Sequence, residues 1–185
     1  MAVVQHKNIA DADLHQIKGA AAATVGQAPL ATGAGTAVFG NISPRGASYF
    51  IDLASPYTLA WPDNYTKLGP TTTSTGTNLE YTVSTTGRLT YTGTRTLATR
   101  ILANLSVAQA SGANRELEFA IYKNGSLLTG STVVITTVTA VKEQVCLMAE
   151  VNLATNDYVE VFVTNNGADG SVLVYSYYLT ALGMQ

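Results

Sequence analysis

The chain has 185 residues, of which 12% are charged and 46% hydrophobic, with a formal net charge of -2. That length suits one domain built on a single core, and the balance leaves no basic stripe of the kind that neutralises phosphates, so nucleic acid is excluded as a partner. The surface must be made largely of Thr, Ser, Asn and Gly, and solubility does not rest on charge.

In chain order, the opening "MAVVQHKNIADAD" has no continuous apolar core of a signal peptide, and no stretch approaches membrane-spanning length. The expectation is a soluble protein made without a secretory signal and without membrane insertion. Residues 11–40, "DADLHQIKGAAAATVGQAPLATGAGTAVFG", differ in composition from the rest. Ile9, Leu14 and Ile17 fit neither helical nor strand spacing, "GAAAATVG" could form at most a short helical turn, and Pro29, Gly33 and Gly35 punctuate the stretch up to Gly40. Such a segment cannot bury enough apolar area to offset its ordering entropy. It is predicted to be extended or disordered alone, and ordered only against a partner or its own copies. The reading is an appendage over residues 1–40 and a globular domain over 41–185. "GAGTAVFG" lacks the Lys-Ser/Thr ending of a phosphate loop and reads as a flexible joint.

From about residue 48 the dominant period is two. In "TLATRILANLSVAQ", Leu97, Thr99, Ile101, Ala103, Leu105 and Val107 line one face and Arg100, Asn104 and Ser106 the other. "ELEFAIYKNGSLL" puts Leu117, Phe119 and Ile121 on one face and then turns at Asn124-Gly125, a strong hairpin signal because both residues tolerate positive φ. Glu116 and Glu118 mark the solvated side of what reads as an edge strand. "STVVITTVTAVKEQVCLMAEVNL" alternates through Val145, Leu147, Ala149, Val151 and Leu153, with a break near residues 141–143. "TNDYVEVFVTNNGADGSVLVYSYYLTALG" reads as turn, strand, loop, strand. Eight to ten short strands and no amphipathic helix predict an all-β antiparallel jelly-roll sandwich with an extended N-terminal arm.

The chemistry-bearing residues are sparse. Cys146 stands alone and reads as a small buried hydrophobe, so neither a disulfide framework nor a thiolate metal site can form within the chain. His6 and His15, nine apart in the weakly structured segment, suit neither a metal pair nor a rigid triad. The expectation is no enzymatic activity, no cofactor and no metal. The ten tyrosines are the remaining resource. Tyr175, Tyr177 and Tyr178 in the last strand must point to opposite faces, and an apolar, tyrosine-bearing outer face of a sandwich implies burial by another subunit.

From about Leu79 to Gln185, "YTG" at 91–93, "IYKNG" at 121–125, "NDYVEVFV" at 156–163 and the closing "YSYYLTALG" resemble the tumour-necrosis-factor-like and complement-like jelly roll. Asn156 stands where Gly is commoner, a position an Asn can fill because it tolerates the left-handed conformation. The resemblance implies a homotrimer about a threefold axis. Counting back by twos from Leu182, it turns Thr180, Tyr178, Ser176 and Val174 toward that axis, with Tyr158 and Phe162 of the neighbouring strand beside them, while Tyr177 and Leu179 enter the core. The 11–40 segment is similar to the opening segments of bacteriophage structural proteins, in which an Asp-x-x-Leu-His-x-x-Lys-Gly run precedes a fibre, spike or decoration module. This implies attachment to phage capsid or tail proteins through Leu14, His15, Lys18, Gly19, Gly26 and Gln27. The sequence thus predicts a trimeric capsid decoration protein or short head fibre on the virion surface, assembled in the host cytoplasm. The alternative is a tail-fibre or receptor-binding tip holding host-surface glycan, with loops 63–78 and 164–171 as the place for a ligand.

Overall fold

The computed structural model describes residues 27–33, 36–41, 44–60, 64–74, 78–111, 114–165 and 170–184. The chain falls into two compact units, Met1–Ile42 and Ser43–Gln185. In the first, β1 (Gln27–Gly33) and β2 (Thr36–Asn41) pair as an antiparallel hairpin, Gln27 opposite Asn41 and Gly33 opposite Thr36. Both strands are extended, as expected of the arm; what is corrected is the flexible joint read over 33–40, because residues 36–40 belong to β2. The glycine-punctuated stretch falls where one strand gives way to the next, and "TAVF" supplies the β-branched and aromatic residues that favour a strand. The anchor residues Leu14, His15, Lys18, Gly19 and Gly26, and both histidines, lie outside the described residues. Gln27 opens β1.

The second unit continues with β3 (Arg45–Ile51), β4 (Tyr57–Ala60), β5 (Thr66–Lys67), β6 (Thr73–Ser74), β7 (Tyr81–Val83), β8 (Leu89–Tyr91) and β9 (Leu97–Gln109). Then come β10 (Arg115–Lys123), β11 (Ser126–Leu127), β12 (Val133–Thr137), β13 (Glu143–Leu153), β14 (Tyr158–Asn165) and β15 (Ser171–Met184). No helix occurs among the described residues. Six strands form one sheet, in the order β13-β9-β15-β3-β6 with β4 beside the start of β15. Seven form the other, β11-β10-β14-β8-β7, with β12 on β10 and β5 on β14. From β8 onward the longer strands alternate between sheets, so the chain crosses the sandwich after β8, β9, β12, β13 and β14. That winding is an antiparallel jelly roll.

The period-two pattern translates directly into burial. Leu97, Ile101, Ala103, Leu105 and Val107 of β9 meet Leu117, Phe119 and Ile121 of β10 in one apolar core, which also takes Val145, Leu147 and Leu153 of β13. Each fully buried Leu, Ile or Phe contributes about 1.5–3 kcal/mol. Tyr177 is buried in the same core and donates its hydroxyl proton to the carbonyl of Gly87 at 2.9 Å. Burial pushes that hydroxyl's pKa far up, so it remains a donor. Gly87 has a φ of +83°, and a Cβ there would stand 3.1 Å from the tyrosine oxygen. The turn at Asn124-Gly125 forms as expected, with φ of 50° and 77° and Lys123 opposite Ser126. Asn156 takes the left-handed conformation at φ 70°.

Two local expectations are corrected. β10 is not an edge strand, because residues 133–137 pair along one side of it while β14 pairs along the other. Cys146 is exposed, since the alternation that buries Val145 and Leu147 turns it outward.

Candidate functional site

With both sheets packed on one core, each has a solvent side, and the residues expected at a subunit interface fall on two different ones. β14 belongs to the seven-stranded sheet and β15 to the six-stranded sheet. Tyr158 and Phe162 are therefore not neighbours of Tyr178; they lie on the far side of the sandwich. β14 and β15, which follow one another in the chain, therefore do not form a hairpin. Val174 is also misplaced by parity. The register against β9 slips between Val174 and Ser176, inserting Tyr175 as a bulge, and the slip returns Val174 to the core, where it is fully buried. Ser176 and Tyr178 do face outward on the six-stranded sheet.

Register builds that face in rows. Gln144, Ser106, Ser176 and Ile51 form the first, and Cys146, Asn104, Tyr178 and Tyr49 the second. Met148, Leu102, Thr180 and Ala47 form the third. No charged side chain stands in these rows. The next row closes the patch with Arg100, whose guanidinium donates to Glu150 at 2.6 and 3.0 Å, and with Leu182 and Arg45. At the opposite end the Lys142 ammonium lies 4.1 Å from the Tyr175 ring centroid. Ile51 is 65% exposed, Met148 57%, Leu182 45% and Tyr178 38%. Three rows across four strands cover on the order of 400 Å² at ordinary sheet spacings, the scale at which an exposed patch marks an interaction surface. β13, at this sheet's edge, runs eleven residues with no proline and no bulge in its pairing to β9. Of the devices that protect an edge from further pairing, β13 carries only the charges of Glu143 and Glu150.

The outer face of the seven-stranded sheet is organised differently. Glu160 is 3% exposed and is held by Lys67 Nζ at 2.5 Å and Arg88 Nε at 2.9 Å. The Arg88 guanidinium also sits over the Tyr158 ring, 3.8 Å from its centroid. Tyr122 stacks on Phe162 at 4.1 Å and meets Tyr65 at 5.4 Å. The Tyr65 hydroxyl donates to the Glu118 carboxylate. Its pKa is pushed up to about 12, first by burial and then by that carboxylate as acceptor and charge. At the rim Asp157 accepts from Lys123 at 2.8 Å, from the Asn124 amide at 2.6 Å and from the Ala154 N–H at 2.8 Å. Burial alone would raise its pKa, but these donors and the lysine charge hold it below the usual carboxylate range.

The partners in the Glu160 and Tyr65 groups are too far apart in sequence for any local motif to pair them. The one available signal was the alternation of β14, which set Tyr158, Glu160 and Phe162 on one face. Among the described residues no three His, Cys, Asp or Glu side chains gather where a metal could be held. Of the ligand loops expected at 63–78 and 164–171, residues 63, 75–77 and 166–169 lie outside the described residues.

No family model matches the sequence, and no curated protein matches it. Solved structures do match the fold. Eiger TNF from S. frugiperda is similar with a TM-score of 0.51 at 10% identity, over 77% of this chain and 94% of that one. Murine APRIL is similar with a TM-score of 0.47 at 7% identity, over 76% of this chain and 99% of that one. The PRD1 vertex protein P5 is similar with a TM-score of 0.47 at 14% identity, over 86% of this chain and 83% of that one. The first establishes a tumour-necrosis-factor-like jelly roll, and at these identities likeness speaks to fold alone; the two below 0.5 add nothing to it.

Proposed function

We propose that the protein is a homotrimeric structural component of a bacteriophage virion surface, a capsid decoration protein or short head fibre. Its first forty residues attach it to capsid or tail proteins, and its jelly roll is displayed outward without enzymatic activity. The observation that carries this reading is the run of three charge-free rows on the outer face of the six-stranded sheet, with Ile51 and Met148 more than half exposed in the single chain. A displayed module has no reason to present such a face to water, whereas a second and third copy seated on it would bury it. The phage assignment rests on the likeness of residues 11–40 to the opening segments of virion proteins.

Light scattering on the purified chain tests the assembly, with an expected mass three times the 19.4 kDa of one chain. Deleting residues 1–40 tests the attachment. The truncated protein should keep its trimer mass and lose binding to particles. A stable monomer at micromolar concentration would overturn the assembly, and a truncated protein that still decorates particles would transfer the attachment to the jelly roll.

A further inference from the structure

The hairpin of β1 and β2 is a two-stranded sheet to which no third strand pairs among the described residues. Strands of seven and six residues in isolation are marginal in water, because one ladder of hydrogen bonds scarcely offsets the entropy of ordering both strands. Residues 27–41 contain no charged side chain, so no charge guards the hairpin's edges against further pairing. Pro29 removes one donor from β1, which suits an outermost strand, while β2 has no proline and keeps a full set of donors.

We propose that the hairpins of the three copies complete one another, the outer edge of β2 pairing with the same hairpin in a neighbouring copy to make a shared β-structured stem. The occupant is set by tether length. β2 ends at Asn41 and β3 begins at Arg45, so only residues 42–44 join them and the span is at most about 14 Å. β3 pairs with β15 in the sheet whose outer face is the proposed seam, and Arg45 sits opposite Leu182 there. Three copies meeting on that face therefore hold three identical, uncharged hairpins on short tethers. At such range the local concentration of one hairpin around another is in the millimolar class. The proposal rests on the trimer proposed above, and adds that the stem is built from the copies themselves rather than from a virion partner or from residues 1–26.

The test uses the full-length protein free of virions, with benzoylphenylalanine introduced at Phe39 for photocross-linking and the unmodified chain for amide exchange. A cross-link that joins two peptides both containing position 39 can arise only between copies. The expected result is that product, together with β2 amides exchanging at least 100-fold more slowly than an unstructured peptide on both of its edges. Protected amides with cross-links only to residues 1–26 would mean that the chain covers its own hairpin, and would overturn the proposal. Protection confined to alternate amides would mean that β2 has no third strand, and would overturn it equally. Light scattering of the same samples keeps the two readings separate, because a trimer mass with either negative result leaves the proposed assembly standing, while a monomer removes both.

Discussion

On the outer side of the seven-stranded sheet Glu160 is almost fully buried, because Lys67 and Arg88 close over it and Tyr158 lies beneath the arginine. On the outer side of the six-stranded sheet Met148 and Ile51 stand more than half exposed, and three rows pass without a charge. Both faces carry tyrosine, yet in one the rings and ions satisfy one another within the chain, and in the other the apolar groups have no internal cover. Tyrosine content therefore says little about where a partner sits. What discriminates is whether the side chains around the rings are already engaged, and by that measure the six-stranded face is the one on which the proposed copies would meet.

The largest expected effect comes from putting charge into the open face. Tyr178→Asp would bring three carboxylates into a partly desolvated seam, where repulsion and desolvation each oppose assembly by about 2–3 kcal/mol. The variant should run as a folded monomer at neutral pH by light scattering. The seam would raise the new carboxylate's pKa, so trimer should return as pH falls through that raised value and be lost again as pH rises. The same charge on the other face, Phe162→Asp, should lower the melting temperature and leave the trimer mass unchanged. If Phe162→Asp dissociates the protein while Tyr178→Asp does not, the assignment of the two faces is reversed.

Next in size is Glu160→Gln, which leaves Lys67 and Arg88 without their anion. A fully buried pair broken in this way costs about 3–5 kcal/mol. Both cations retain contact with water, so a loss of about 2 kcal/mol is expected, read as a lower denaturant midpoint with the oligomeric mass intact. Smallest is Asp157→Asn at the rim. Its native pKa is depressed, so the carboxylate contributes stability above the ordinary carboxylate pKa and loses it as pH falls through the native one. The variant should be less stable than the natural chain by under about 1 kcal/mol at neutral pH, and the gap should close on acidification through that window. A gap that stays constant from neutral to strongly acid pH would show that the loss is one of shape rather than of charge.

How much of the molecule was legible beforehand depends on the range of each interaction. Alternation is local, so the inward residues of β9, β10 and β13 were readable, as were the Asn124-Gly125 turn and the left-handed Asn156. Cys146 could have been placed by the same rule, because burying Val145 and Leu147 commits the residue between them to the surface. That β14 and β15 do not pair was not readable: a Gly/Asn/Asp stretch has one composition whether the strands it separates form a hairpin or lie in different sheets. The bulge at Tyr175 has no sequence mark either, and it alone carries Val174 inward. The Glu160 cluster depends on Lys67 arriving from β5 and Arg88 from just before β8, a juxtaposition that only the jelly-roll winding creates.

Cys146 offers the most direct measurement of the central claim. In the single chain its thiol is exposed in the second row of the open face, beside Asn104 and two strands from Tyr178. Its rate of reaction with a thiol reagent should therefore be slow in the assembled protein and rise at least tenfold in the Tyr178→Asp variant, to the rate of an accessible thiol. Full-rate labelling of Cys146 in a trimer of undiminished mass would contradict the account, because the copies would then meet somewhere other than the outer face of the six-stranded sheet.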